Sequence, residues 1–123
     1  MEIIEKVLTD AIVLRPRVFN DDRGYFYESF NEKVFESLSG IKLNFIQDNQ
    51  SYSSKGTLRG LHFQTGSAAQ AKLVRVIKGS AYDAAVDLRP DSPTFKNGMV
   101  WSFRKKIIYS FSFLAVLRMR LLL

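Results

Sequence analysis

Between residues 45 and 93 the chain alternates short apolar runs with turn residues. The runs cover 45–52, 57–64, 71–78 and 81–88, separated by Ser53-Ser54-Lys55-Gly56, by Thr65-Gly66-Ser67 and by Gly79, and closed by Pro90-Asp91-Ser92-Pro93. Strands so closely spaced leave no room for the crossover helices that a parallel βαβ sheet requires, so the pattern predicts an all-β sandwich or barrel. Upstream, a β-type run at 11–19 broken by Pro16, the turn Asn20-Asp21-Asp22-Arg23-Gly24 and a second run at 25–30 predict a hairpin. One short helix fits between them and the barrel strands. Asn31 can cap it, Val34, Phe35 and Leu38 share one side, and Gly40 stands where a helix stops.

At 123 residues the chain is one domain or part of one. Its net charge of +6 is local: residues 1–100 carry thirteen Lys/Arg against twelve Asp/Glu, and residues 101–123 carry Arg104, Lys105, Lys106, Arg118 and Arg120 with no acid. A nucleic-acid-binding domain spreads its basic residues over a folded face, so this distribution argues against one. The apolar stretch at 107–117 is too short to span a bilayer, and no membrane partner is expected. The absence of cysteine fits a reducing compartment, and the N-terminus MEIIEKVLTD lacks the basic-then-apolar pattern of a signal peptide, so a cytoplasmic location is expected.

Chemistry concentrates around the single histidine, His62, in the run TLRGLHFQ. One histidine cannot supply a multi-His metal set, so no metal site is expected. Strict alternation puts His62 with Leu58, Gly60 and Gln64 and turns Arg59 to the opposite face; both reach one cavity only if the strand bulges or twists, which Gly60 permits. A hydrogen-bonded structural histidine is the plainer alternative. In KLVRV, Lys72 shares a face with Val74 and Val76. If that face is interior, Lys72 is a buried cation that needs an anionic partner or substrate; if it faces outward, Lys72 is simply solvated. Asp21, Asp22, Glu28, Asp83 and Asp87 form no metal or glycosidase pair by spacing, and are expected mostly at the surface. No phosphate-binding glycine loop, nucleophile elbow or internal repeat is present.

Three blocks in order, DDRGYFYESFNEKVFE, NFIQDNQSYSSKGTLRGLHFQ and AQAKLVRVIKGSAYDAAVDLRPDSPTF, resemble the dTDP-4-dehydrorhamnose 3,5-epimerases over about residues 1–98. The resemblance implies a cupin-type double-stranded β-helix, here a truncated jelly-roll barrel, and in intact members a homodimer. It implies a cofactor-free isomerase of dTDP-L-rhamnose biosynthesis, on the route to lipopolysaccharide or O-antigen, that epimerises a dTDP-4-keto-6-deoxy sugar at C3 and C5. It assigns His62 as the base and Lys72 as the pocket cation that stabilises the enolate. Arg23 and Arg59 match nucleotide-sugar-binding positions, and Glu28, Gln47, Asp48 and Asn49 match further substrate contacts. A single-carbon epimerase and a non-catalytic dTDP-sugar-binding half-barrel are the alternatives. Gly66-Ser67-Ala68 and Ser80-Ala81 depart slightly from the family pattern.

The larger departure lies beyond residue 100, where members continue through a GFAHGF-like motif to a general-acid tyrosine and an aspartate that orients the histidine. Residues 101–123 read WSFRKKIIYSFSFLAVLRMRLLL instead. A DNA string encoding VELSEENNLQLFIPRGFAHA, which resembles the expected continuation, gives the sequence from Trp101 to Arg120 when read one base later. The expected organisation is therefore a family half-barrel at 1–100 and a frameshifted tail at 101–123, with activity impaired in the chain as written.

Overall fold

The computed structural model describes the backbone of residues 1–104, 110–113 and 117–121, and side chains as far as Phe103. In chain order the elements are β1 (Glu2–Val7), β2 (Ala11–Arg15), β3 (Val18–Asp21), β4 (Gly24–Tyr27), α1 (Glu32–Ser39), β5 (Leu58–Arg59), a 3-10 turn at Gly66–Ala68, β6 (Lys72–Arg75), β7 (Ser80–Asp87), β8 (Gly98–Arg104), β9 (Ser110–Phe113) and β10 (Leu117–Leu121). They form a four-stranded sheet in the order β1-β2-β9-β6, a second in the order β5-β10-β7-β8, and the separate hairpin β3-β4. Every pairing described is antiparallel.

Strand β2 explains the layering. Its residues Ala11, Ile12, Val13 and Leu14 are all buried, which a strand achieves only when both its faces are covered. Ala11 and Val13 join Phe103 of β8, with Val74, Val76, Met99 and Trp101 packed around them, so this cluster fills the space between the two sheets. Ile12 and Leu14 join Phe35 of α1, with Ile3, Leu38, Leu43 and Leu73 alongside, so the helix covers the outer face of the first sheet. The order of layers is helix, sheet, sheet. Among the described residues no helix is long and apolar enough to cross a membrane.

The helix forms where its signals stand: Asn31 Oδ1 accepts the Val34 N–H at 3.1 Å, and Gly40 closes the last turn at φ 72°. The hairpin also forms, but the run at 11–19 divides into β2 and β3 around Pro16. Two strand expectations are corrected. Residues 45–52 lie in no strand, because Phe45 packs edge-on against Phe30 (5.2 Å) and Phe35 (5.9 Å) beside the helix, while Ile46 and Tyr52 are each 88% exposed. The strand expected over 57–64 is reduced to Leu58–Arg59, ending before Gly60, whose φ of 131° leaves the extended region.

Candidate active site

Lys72 opens β6, half-buried, on the face that Val74 turns toward the inter-sheet cluster. Of the two faces open to it, the inner one is therefore realised. Strand β7 supplies the opposite wall: Ala81, Asp83, Ala85 and Asp87 are buried in strict alternation. Register sets Ala81 opposite Phe103, Asp83 opposite Trp101 and Ala85 opposite Met99, and directly paired residues share a face. Since Phe103 lies in the inter-sheet cluster, the carboxylate of Asp83, 5% exposed, faces inward among small alanines.

The same register brings in Arg59. Position 120 pairs with both Arg59 and Asp83, so these two stand in one cross-strand row on the inner face of the second sheet. On its edge strand Arg59 stays exposed, its Nε donating to Ser53 Oγ at 3.0 Å and its Nη2 to the Tyr52 carbonyl at 3.4 Å. His62 follows three residues later, exposed and outside any strand. The alternation expected to govern its direction stops at Arg59, and the departure of Gly60 from the extended region takes the place of the bulge expected there.

The remaining predicted contacts lie outside the barrel interior. Arg23 stands at the tip of the β3-β4 hairpin, 90% exposed, with its guanidinium on Asp21 at 2.6 Å. That contact, with the Arg23 backbone N–H, holds the Asp21 carboxyl below its ordinary value. Glu28 is exposed and accepts a hydrogen bond from Asn31 Nδ2 at 3.2 Å, so the helix-capping amide also anchors this carboxylate. Gln47, Asp48 and Asn49 are exposed, with Gln47 Nε2 donating to Asn49 Oδ1 at 3.2 Å.

Two acids expected at the surface are instead buried. Asp87 is fully enclosed and accepts hydrogen bonds from Arg89 Nη2 (2.8 Å), Arg89 Nε (2.9 Å), Thr94 Oγ1 (2.7 Å) and Ser92 Oγ. Arg89 also pairs with Asp10, tying the β7-β8 connection to the loop before β2. Asp83 is the other, and it is a candidate functional residue that sequence reasoning passed over. The available signal was its parity with the small apolar Ala81 and Ala85, which puts the three on one face of the strand without saying which face is inward.

The family described as dTDP-4-dehydrorhamnose 3,5-epimerase matches residues 5–107. The chain belongs to this family. It is 55% identical over 95 residues to the epimerase of Escherichia coli K12, an alignment covering 77% of this chain and 51% of that protein. The crystal structure of the epimerase from Elizabethkingia anophelis superposes with a TM-score of 0.93 at 42% identity, covering all of this chain and 67% of that one. The enzyme from Legionella pneumophila, solved in complex with dTDP-4-keto-L-rhamnose, superposes with a TM-score of 0.91 at 37% identity, covering 99% of this chain and 65% of that one. The fold is thus the cupin-type jelly-roll barrel of the epimerase family, in truncated form, with one short helix. The chain spans about half the length of the curated relatives it matches.

Proposed function

We propose that this barrel belongs to a dTDP-4-dehydrorhamnose 3,5-epimerase, which converts dTDP-4-dehydro-6-deoxy-D-glucose to dTDP-4-dehydro-L-rhamnose in the cytoplasm and works as a homodimer in its intact form. The family match over residues 5–107 carries the proposal. A 4-keto group acidifies the hydrogens on both flanking carbons, so the reaction needs a base, a stabiliser for the enolate and a donor that returns the proton to the opposite face. His62 serves as the base. Lys72, on the inner face of β6, places a cation where enolate charge develops. Arg23 and Arg59 bind the nucleotide diphosphate, to which a guanidinium donates through a bidentate fork. Glu28, Gln47, Asp48 and Asn49 complete the substrate contacts.

The proposal includes the origin of the tail. Residues 1–100 are the epimerase half, and residues 101–123 are read one base out of frame, which impairs the chain as written. Incubation with the 4-keto sugar nucleotide in heavy water, followed by NMR, tests both parts. Little deuterium uptake by this chain and uptake at both flanking carbons after a one-base correction is the expected result. Uptake at one carbon only would establish a single-carbon epimerase. Binding of dTDP without exchange by the corrected chain would leave a non-catalytic sugar-nucleotide binder.

A further inference from the structure

Asp21 organises the hairpin tip in two ways at once. Its Oδ1 accepts the Arg23 backbone N–H at 2.9 Å, which fixes the turn as an Asp side chain does when it bonds two residues ahead. Its Oδ2 accepts from Arg23 Nη2 at 2.6 Å and from Nε at 3.2 Å. A guanidinium offers five N–H donors in a rigid plane, so Asp21 occupies the Nε–Nη2 edge and leaves the Nη1–Nη2 end available to a second anion. The carboxylate is anchored by the backbone rather than by a flexible neighbour, and the turn continues into Gly24 at φ 134°. An ordinary exposed ion pair lacks that anchor, which is why most contribute little.

We propose that Asp21 is a positioning residue that acts through Arg23, ordering the free guanidinium edge for the diphosphate of the nucleotide-sugar. The inference rests on the proposed function, which assigns Arg23 to that diphosphate. The opposite possibility has the opposite sign: if Asp21 only competed with the diphosphate for Arg23, its removal would tighten binding.

Titration calorimetry of the full chain with dTDP decides between them, using wild type, Asp21→Asn, Arg23→Gln and the double variant. An asparagine keeps an oxygen for the Arg23 N–H but loses the charge, so the turn and the melting temperature should hold while affinity falls about five-fold, the factor expected from freeing one ordered, rotamer-rich side chain. In the Arg23→Gln background Asp21→Asn should change nothing. That coupling is decisive even if Asp21→Asn lowers the melting temperature, since a purely structural role would weaken binding equally in both backgrounds. Unchanged or tighter binding by Asp21→Asn, or an equal loss without Arg23, overturns the positioning role alone. Failure of the wild type to bind dTDP overturns this inference, whereas the proposed function stands or falls separately on deuterium exchange by the corrected chain.

Discussion

Asp87 shows how much of a fold can rest on one carboxylate. Its hydrogen bonds with Arg89, then those with Ser92 and Thr94, hold its pKa far below the usual carboxylate range, and the contacts of Arg89 with Asp87 and then Asp10 push the guanidinium upward. Removing the acid leaves a half-buried guanidinium without its main partner, so Asp87→Ala should cost about 3 kcal/mol in urea unfolding. The pH dependence follows from the lowered pKa. A group depressed in the folded state stabilises fully above its unfolded value of about 3.9 and loses that contribution as the pH falls toward the folded value. Wild-type stability should therefore drop on acidification from about pH 4 downward, and Asp87→Asn should flatten that part of the curve. None of this was legible in the string DLRPDSPTF, which reads as a solvated turn. Asp10, the second partner of Arg89, lies 79 residues away in sequence.

Elements built from local signals were legible, and those built from distant contacts were not. Helix α1 could be placed because its cap, apolar side and stop lie within ten residues. Gly40 adopts φ 72° with nothing within 4 Å of where a Cβ would sit, so Gly40→Ala meets only backbone strain. It should cost about 1 kcal/mol by thermal melting, and Gly40→Asn should recover part of that loss. Strand β2 is the opposite case, since its four consecutive buried residues make sense only once α1 and the second sheet cover its two faces. Leu14→Ala, at a fully buried position, should cost about 3 kcal/mol. The run at 45–52 has strand composition, but its one half-buried ring, Phe45, packs on Phe30 and Phe35 and leaves the rest without a sheet partner. In the candidate site, the inward face of Lys72 was legible as one of two options. The inward face of Asp83 needed the register with β8.

At the scale of the whole molecule, both sheets depend on the tail. Strand β9 lies between β2 and β6, and β10 lies between β5 and β7, so ending the chain at Arg104 would remove an interior strand from each sheet and should abolish cooperative melting. The register also bears on the frame. Positions 111 and 113 pair with Val13 and Ala11 of β2 and with Val74 and Lys72 of β6, whereas position 112 pairs with Ile12 and Leu73, which pack on the helix side. The residues it pairs with face the inter-sheet cluster on one side and the helix on the other, a setting that favours a continuous apolar run, yet the chain reads Ser110-Phe111-Ser112-Phe113. Every phenylalanine codon begins with TT, so shifting the frame back by one base gives a codon ending in TT, which encodes Phe, Leu, Ile or Val, at 111 and at 113. At 112 a serine codon of the TCN type becomes TTC or CTC on the same shift, encoding Phe or Leu, so the reconstructed continuation has an apolar residue at all three positions. On the proposed origin of the tail, a one-base correction of the gene should therefore raise the melting temperature and sharpen the transition. A corrected chain that melts no higher than the present one would show that the tail as written already suits its place between β2 and β6.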